Sequence, residues 1–325
     1  QMLKKAYQPR RCETFQTTCG PAKKDRSITG VPLYPDQIIQ QVLIEAAEPV
    51  FMRGAYEYSR GSIPKKGTHK GVRYIKKIVR KHKNIDRSAI KYAAQLDIAK
   101  CYPSISHTDL KEKLKKKFRG KLFTWLAFAV IDSYHDEEVD GEFYGLAIGY
   151  PTSQWFCNFT LAAIDHMIKC KEKIRYYVRY MDDMIMYSRN KKSLHKTVRN
   201  IMTKLKSMQL KIKKNWQVFR FDFKDKFGKR KGKALDTLGY RFFRDKIILR
   251  KRNALIISRQ ARRIKKAKKI TPATASSFMS RIGALKHCNS RNFYKKNIKP
   301  FADIKQLKEV ISNESRKHSK AQFAI

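Results

Sequence analysis

Apolar residues along this chain fall into two kinds of run, and the difference between them predicts the elements. Residues 92–99, YAAQLDIA, are apolar at nearly every position, as in a buried strand. Residues 174–189, IRYYVRYMDDMIMYSR, read as two short strands meeting at Met181-Asp182, a hairpin with carboxylates at its tip. WQVFRFDF (216–223) and TLGYRFFRDKIILR (237–250) alternate like strands. Elsewhere the spacing is helical. Residues 36–51 offer Asp36 as a cap and Ile38, Val42, Leu43 and Ala46 as an apolar face. Further helices are predicted over about 70–82, over 106–118 behind a Ser/Thr/Asp start, over 152–169 and over 193–208. From about Asn253 onward the chain reads as helices, with Ile257, Ala261, Ile264, Ala267 and Ile270 in one stripe and Lys and Arg on the other faces. Residues 1–35 read as basic and irregular, and HDEEVDGEF (135–143) as a solvated loop. No repeat and no Gly/Ser- or Pro-rich linker divides the chain. The expected fold is an α+β core with a helical C-terminal appendage.

Charge changes that picture. The 325 residues include 74 Lys+Arg against 27 Asp+Glu, a formal net charge of +47. Ion pairing within the molecule cannot absorb such an excess, so a polyanionic partner is expected, and nucleic acid fits best. Eleven basic residues and no acid lie between Lys246 and Lys269, a density of one sign that suits a phosphate track. No apolar run reaches the roughly 18–20 residues of a membrane span, and the first residues lack a signal-type apolar core. A cytoplasmic protein without a membrane partner is therefore expected. The six cysteines hold no CxxC pair and the eight histidines no HExxH spacing, so packed, reduced thiols are expected rather than a zinc site.

Asp97, Asp182 and Asp183 are almost the only acids in the apolar strands. Aspartate is a favoured turn residue, and an isolated pair would mean no more than that. If the strands are neighbours, however, three carboxylates converge and repel unless positive charge sits among them. Two Mg²⁺ ions about 3.5–4 Å apart would relieve the repulsion. One would activate a 3′-hydroxyl, and the other would hold a triphosphate and its departing pyrophosphate. Oxygen donors favour Mg²⁺, with Mn²⁺ as a substitute, over zinc.

YMDD (180–183), LDIAKCYPSI (96–105), IGYPTSQWFCNF (148–159) and LGYRF (238–242) stand in the order and spacing of reverse-transcriptase motifs. SRGSIPKKGTHKG (59–71) resembles the fingers segment of bacterial, group II intron-like enzymes. The resemblance implies a right-hand polymerase with fingers and palm, built of antiparallel sheet and helices, and a helical thumb. Residues 1–91 would be a basic segment and fingers, 92–250 the palm with fingers-type insertions and primer-grip strands, and 251–325 the thumb. It further implies that Asp97, Asp182 and Asp183 are catalytic and hold the metals, together with the carbonyl of Ile98. Tyr102 would be the steric gate against a ribose 2′-hydroxyl, and Lys24 and Arg26 would clamp the triphosphate. Leu238, Gly239 and Tyr240 would form the primer grip, with Arg259, Arg262 and Lys266 along the duplex track.

The chain departs from that family where Q-G-x-x-x-S-P is usual. It reads Ile148-Gly149-Tyr150-Pro151-Thr152-Ser153-Gln154, replacing Gln by Ile148 and Pro by Gln154. Ile148, Gly149, Ser153 and Gln154 would lie against the incoming nucleotide. The altered form resembles diversity-generating retroelement reverse transcriptases, which copy a template-repeat RNA with frequent errors opposite adenine. That resemblance implies dNTPs, a structured template RNA, an RNA/cDNA duplex and a small basic pentameric accessory protein as partners. A defence-associated (anti-phage) bacterial reverse transcriptase is the alternative, and a non-enzymatic, maturase-like RNA-binding protein is an alternative of another class. The general acid on pyrophosphate stays open between Lys213 and Lys214, because Trp216 occupies the expected spacing in LKIKKNW (210–216).

Overall fold

The computed structural model describes residues 7–10, 12–19, 24–57, 59, 61–82 and 89–322. They form two compact units, Gln1–Ile78 with Asn84–Phe221, and Val79–Lys83 with Asp222–Ile325.

The first unit opens with a hairpin, β1 (Thr14–Cys19) and β2 (Lys24–Thr29), in a region that the sequence marks as irregular. Phe15 opposite Ile28 is its one large apolar pair, so no apolar alternation announces it. Cross-strand hydrogen bonds support the pairing instead: Gln16 Nε2 donates to Ser27 Oγ at 2.7 Å and Thr18 Oγ1 to Asp25 Oδ1 at 2.9 Å. Helix α1 (Ile38–Gly54) follows, but Asp36 does not cap it. Asp36 is buried and accepts from Tyr7 Oη at 2.5 Å and the Arg10 amide at 3.2 Å. Of the predicted face of α1 only Leu43 is buried, facing inward with Ile39, Ile44, Ala47 and Phe51, while Ile38 and Val42 are half exposed and Ala46 is exposed.

Helix α2 (Thr68–Lys81) leads to β3 (Tyr92–Ala99), the apolar strand expected from YAAQLDIA. Ser106 caps α3 (His107–Lys117) by accepting from the Asp109 amide at 3.0 Å, as its sequence predicts. Helix α4 (Lys121–Asp132) has no counterpart in the sequence reading, because LFTWLAFAV is apolar almost all round and shows no face. The supposed acidic loop is a hairpin, β4 (Glu137–Val139) and β5 (Glu142–Tyr144), turning on Asp140-Gly141 with φ of 51° and 75°. Asp-Gly with both residues left-handed is the signature of a two-residue hairpin turn. Glu142 is not merely solvated: Ser106 and Thr108 hydroxyls donate to it at 2.6 Å each. Helix α5 (Pro151–His166) and one wider turn through Lys171 then lead to the remaining strands.

Those strands are β6 (Tyr176–Tyr180), β7 (Asp183–Ser188), and, after α6 (Lys191–Lys206), β8 (Lys211–Ile212) and β9 (Gln217–Arg220). The sheet is antiparallel, in the order β6-β7-β3-β8, with β9 also paired to β3. Its centre is therefore the strand that carries Asp97. Ala94, Leu96, Ile98, Met184 and Met186 on the sheet share one core with Leu43 of α1, Leu161 and Ile164 of α5 and Val198 and Ile201 of α6.

Among the described residues an ion pair lies wholly inside this unit. Arg179 and Asp165 have side chains 1% and 0% exposed, with Arg179 Nη2 2.7 Å from Asp165 Oδ2 and Nε 2.8 Å from Oδ1. Tyr177 Oη donates to the same carboxylate at 2.6 Å. Burial opposes the charged guanidinium, but Asp165 overrides it and holds the Arg179 pKa above its ordinary value.

The second unit contains β10 (Phe223–Lys224) paired to β11 (Arg230–Lys231), and a meander of β12 (Leu235–Thr237), β13 (Tyr240–Phe242) and β14 (Ile247–Leu249). Arg230 bridges Asp222 and Asp245 with one guanidinium nitrogen on each carboxylate. Four helices complete it: α7 (Lys251–Lys266), α8 (Pro272–Ile282), α9 (Arg291–Asn297) and α10 (Ile304–Gln322). Ile257, Ala261 and Ile264 form the buried stripe of α7, but the helix stops at Lys266, so Ala267 and Ile270 fall outside it. Among the described residues no helix is long and apolar enough to cross a membrane.

Removing one member of the buried pair strands a charge where water cannot reach it. Asp165→Leu is expected to lower the unfolding free energy by about 3–5 kcal/mol, whereas Arg179→Met combined with Asp165→Leu recovers most of that loss. Denaturant titration of the three proteins checks this; equal loss in the single and double variants contradicts it.

Candidate active site

The pairing of β3 with β7 ends at Asp97, two residues before β3 itself ends, and β7 begins at Asp183, so the two strands bring these acids together. The register sets Asp97 directly across from Asp183, and the Ile98 amide donates to the Asp182 carbonyl at 3.2 Å. Burial, and after it the Asp97 carboxylate, push Asp182 above the ordinary carboxylate range, against an opposing pull from Lys213. Two like charges compete for one half-buried place.

Lys213 answers that competition. Its amide donates to the Asp97 carbonyl at 2.8 Å, and its ammonium stands 2.5 Å from Asp97 Oδ1. This contact is an ion pair without hydrogen-bond alignment at that oxygen. Of the two lysines, Lys213 is the one that stands against Asp97.

The hairpin tip is held from behind. Met181 adopts a left-handed φ of 53°, uncommon for a residue with a side chain. Gly61 lies so close that a Cβ there would stand 2.7 Å from the Met181 nitrogen and 2.5 Å from its Cγ. Arg179 Nη1 donates to the Met181 carbonyl at 3.0 Å and to Asn158 Oδ1 at 2.9 Å. Asn158 Nδ2 in turn donates to the Gly61 carbonyl at 3.0 Å. No sequence motif marks Arg179, Asn158 and Asp165 as a group. Their signal is a charge inside an apolar strand, YYVRY, facing an acid inside the apolar helix end LAAID.

Tyr102 is half buried just beyond β3, and its carbonyl accepts from the Leu146 amide at 3.0 Å, tying this bend to the segment before Ile148. The Thr29 amide at the end of β2 donates to the Ile148 carbonyl at 2.7 Å. Gly149 adopts a φ of 129°, and a Cβ there would stand 2.1 Å from the Thr29 carbonyl oxygen, so no side chain fits. Backbone contacts thus join the strand bearing Lys24 and Arg26 to the Ile148-Gly149 segment; the side chains of Lys24 and Arg26 lie outside the described residues. Ile148 is half buried, Ser153 is buried, and Gln154 is exposed.

The remaining expected residues belong to the second unit. Leu238 and Gly239, with φ of 52° and 83°, turn the chain between β12 and β13. The Gly239 carbonyl accepts from the Arg250 amide at 2.9 Å. Tyr240 is buried, donates to the Ala284 carbonyl at 3.0 Å, and is pushed up to about 12 by burial. Arg259, Arg262 and Lys266 are exposed on α7, and the Arg262 guanidinium lies 5.6 Å from the centre of the Phe301 ring.

Residues 19–242 match the reverse transcriptase (RNA-dependent DNA polymerase) family, and the chain belongs to that family. No curated protein sequence matches it. Among solved structures, apo telomerase from Candida tropicalis aligns with a TM-score of 0.53 at 13% identity, over 97% of this chain and 59% of that one. Telomerase from Candida albicans with a TWJ fragment of telomeric RNA gives 0.49 at 12% identity, over 90% and 55%. The chain thus spans little more than half the length of these telomerases. At such identity the likeness with the first shows the fold alone, an α+β reverse-transcriptase domain of antiparallel sheets and helices.

Reverse transcriptases generally use divalent metal ions. Among the described residues no three His, Cys, Asp or Glu side chains already stand as a metal cage. The donor set nevertheless fits a hard cation: two mutually repelling carboxylates, oxygen donors only, and a lysine supplying the compensating charge at one of them. A metal at this place would take over the role that Lys213 plays toward Asp97.

Proposed function

We propose that this chain is the RNA-directed DNA polymerase of a diversity-generating retroelement, making adenine-mutagenic cDNA from a template-repeat RNA. The observation that carries the polymerase reading is the approach of Asp97 and Asp182 at the end of the central strand pair, with Lys213 against Asp97. Residues 1–91 serve as basic segment and fingers, 92–250 as palm and 251–325 as thumb.

In this reading Asp97, Asp182 and Asp183, with the Ile98 carbonyl, hold two Mg²⁺ ions. When bound, these lower the pKa of the attacking 3′-hydroxyl and neutralise the triphosphate. The chain's own groups do the rest. Lys24 and Arg26 bind the triphosphate, where the guanidinium fork matches two oxygens at once. Tyr102 excludes a ribose 2′-hydroxyl. Lys213, already at Asp97, supplies the proton to departing pyrophosphate. Leu238, Gly239 and Tyr240 seat the primer end, and Arg259, Arg262 and Lys266 hold the duplex by its phosphates.

The retroelement subtype rests on Ile148 and Gln154. Where relatives place a glutamine against the nascent pair, Ile148 offers no hydrogen bond and a stiff, β-branched stem. Loss of one such contact relaxes discrimination by about 1–2 kcal/mol, roughly ten-fold in error frequency. A structured RNA and a small basic pentameric protein complete the expected assembly.

Asp182→Asn is expected to lower cDNA synthesis on a primed RNA by at least about a thousand-fold while leaving the RNA dissociation constant unchanged. Primer extension and filter binding on one preparation check this; retained synthesis sinks the catalytic assignment, and joint loss of RNA binding points to a structural role. Ile148→Gln is expected to reduce misincorporation opposite template adenine by about ten-fold, read by sequencing the products. An unchanged error spectrum contradicts the role given to Ile148.

A further inference from the structure

A reverse transcriptase must hold the carboxylates of its central hairpin to within a fraction of an ångström, yet the tip here is an inherently poor turn. Met181 sits in the left-handed region without being glycine, an unfavourable conformation that persists only when its surroundings fix it. Those surroundings are three groups from three separate parts of the chain. Arg179, two residues before Met181 on β6, bends its guanidinium forward to the Met181 carbonyl at 3.0 Å. Asn158, from α5, accepts from the same guanidinium nitrogen at 2.9 Å and donates to Gly61 at 3.0 Å. Only one orientation of the Asn158 amide satisfies both contacts. Gly61 closes the cradle, leaving no room for a Cβ against the Met181 nitrogen.

Asn158 and Asp165 lie seven residues apart on α5, two helical turns, and so share the face that meets β6. Asp165 occupies Nε and Nη2 of the guanidinium, which leaves Nη1 for Asn158 and Met181. A fork with fixed donor directions is required for this division, and lysine cannot reproduce it. Downstream of the cradle the next residue is Asp182, whose carbonyl accepts from the Ile98 amide next to Asp97. The chain of contacts therefore runs without a gap from α5 and the Gly61 segment to the paired carboxylates.

We infer that Arg179, Asn158 and Gly61 are positioning residues that set the Met181 turn and, through it, the placement of Asp182 against Asp97. The inference rests on the catalytic reading of Asp182, and its consequences separate from that reading. A residue that only stabilises the fold alters the folded fraction; a positioning residue alters the rate of the folded enzyme.

The test measures single-nucleotide primer extension by wild type, Asn158→Ala, Gly61→Ala, Arg179→Lys and Asp182→Asn, well below each melting temperature. Amide exchange at Ile98 is followed in parallel as a reading independent of activity. Asn158→Ala and Gly61→Ala are expected to lose about 10–100-fold in kcat, with KM for dNTP and RNA affinity within about three-fold, and with faster exchange at Ile98. Arg179→Lys, if it folds, is expected to behave like Asn158→Ala rather than to rescue the wild-type rate. Wild-type kcat and Ile98 exchange in Asn158→Ala and Gly61→Ala overturn the inference, as does a kcat loss that only follows the unfolded fraction. Activity in Asp182→Asn overturns the catalytic reading instead, whatever the other variants do.

Discussion

Two carboxylates forced together at the end of a buried strand pair are the constraint around which the rest is arranged. Asp97 lies near the end of the central strand of an antiparallel sheet, and the pairing that buries Leu96 against Met184 also delivers Asp183 across from Asp97 and Asp182 beside it. The apolar ladder provides the stability and the acids ride on it. Burial and mutual repulsion raise Asp182, and the nearest relief is the Lys213 ammonium. Such an arrangement is poor for stability and well suited to receiving positive charge.

Positive charge is managed differently in different places. Most of the +47 lies in exposed lysines and arginines, such as Arg259, Arg262 and Lys266 on α7. There solvation costs are small and a polyanion finds many partners. Arg179 is the opposite case, a guanidinium removed from water and matched by Asp165, with its remaining donors committed to Asn158 and the Met181 carbonyl. A buried pair of this kind contributes little net stability over apolar replacements but fixes direction. Here the direction fixed is that of the hairpin that bears Asp182.

The sequence reveals what is repeated along it and hides what is supplied across space. The strand 92–99 and the hairpin at 176–188 announce themselves because they are buried and apolar, and the family motifs lie on them. The β1–β2 hairpin does not, because its Thr, Ser and Gln pair through polar side chains and neither face is apolar. Helix α4 is hidden by the reverse fault, an apolar circumference with no polar face to set a period. In 135–143 the Asp140-Gly141 turn is a local hairpin signal, masked by five acids in nine residues that resemble a solvated loop. On α1 the stripe was displaced by one position, since Ile38 and Val42 are as apolar as the residues that are buried. The approach of Lys213 to Asp97 follows from the pairing of β8 with β3, which no local pattern contains.

The most direct measurement is sequencing of cDNA made by the purified wild-type protein, with Mg²⁺, on the RNA encoded beside its gene. The account predicts product whose errors concentrate opposite template adenines. Faithful cDNA, or repetitive product independent of the template, contradicts the diversity-generating reading and favours a defence-type reverse transcriptase; failure to form any product with RNA and the accessory protein both supplied contradicts the polymerase reading itself.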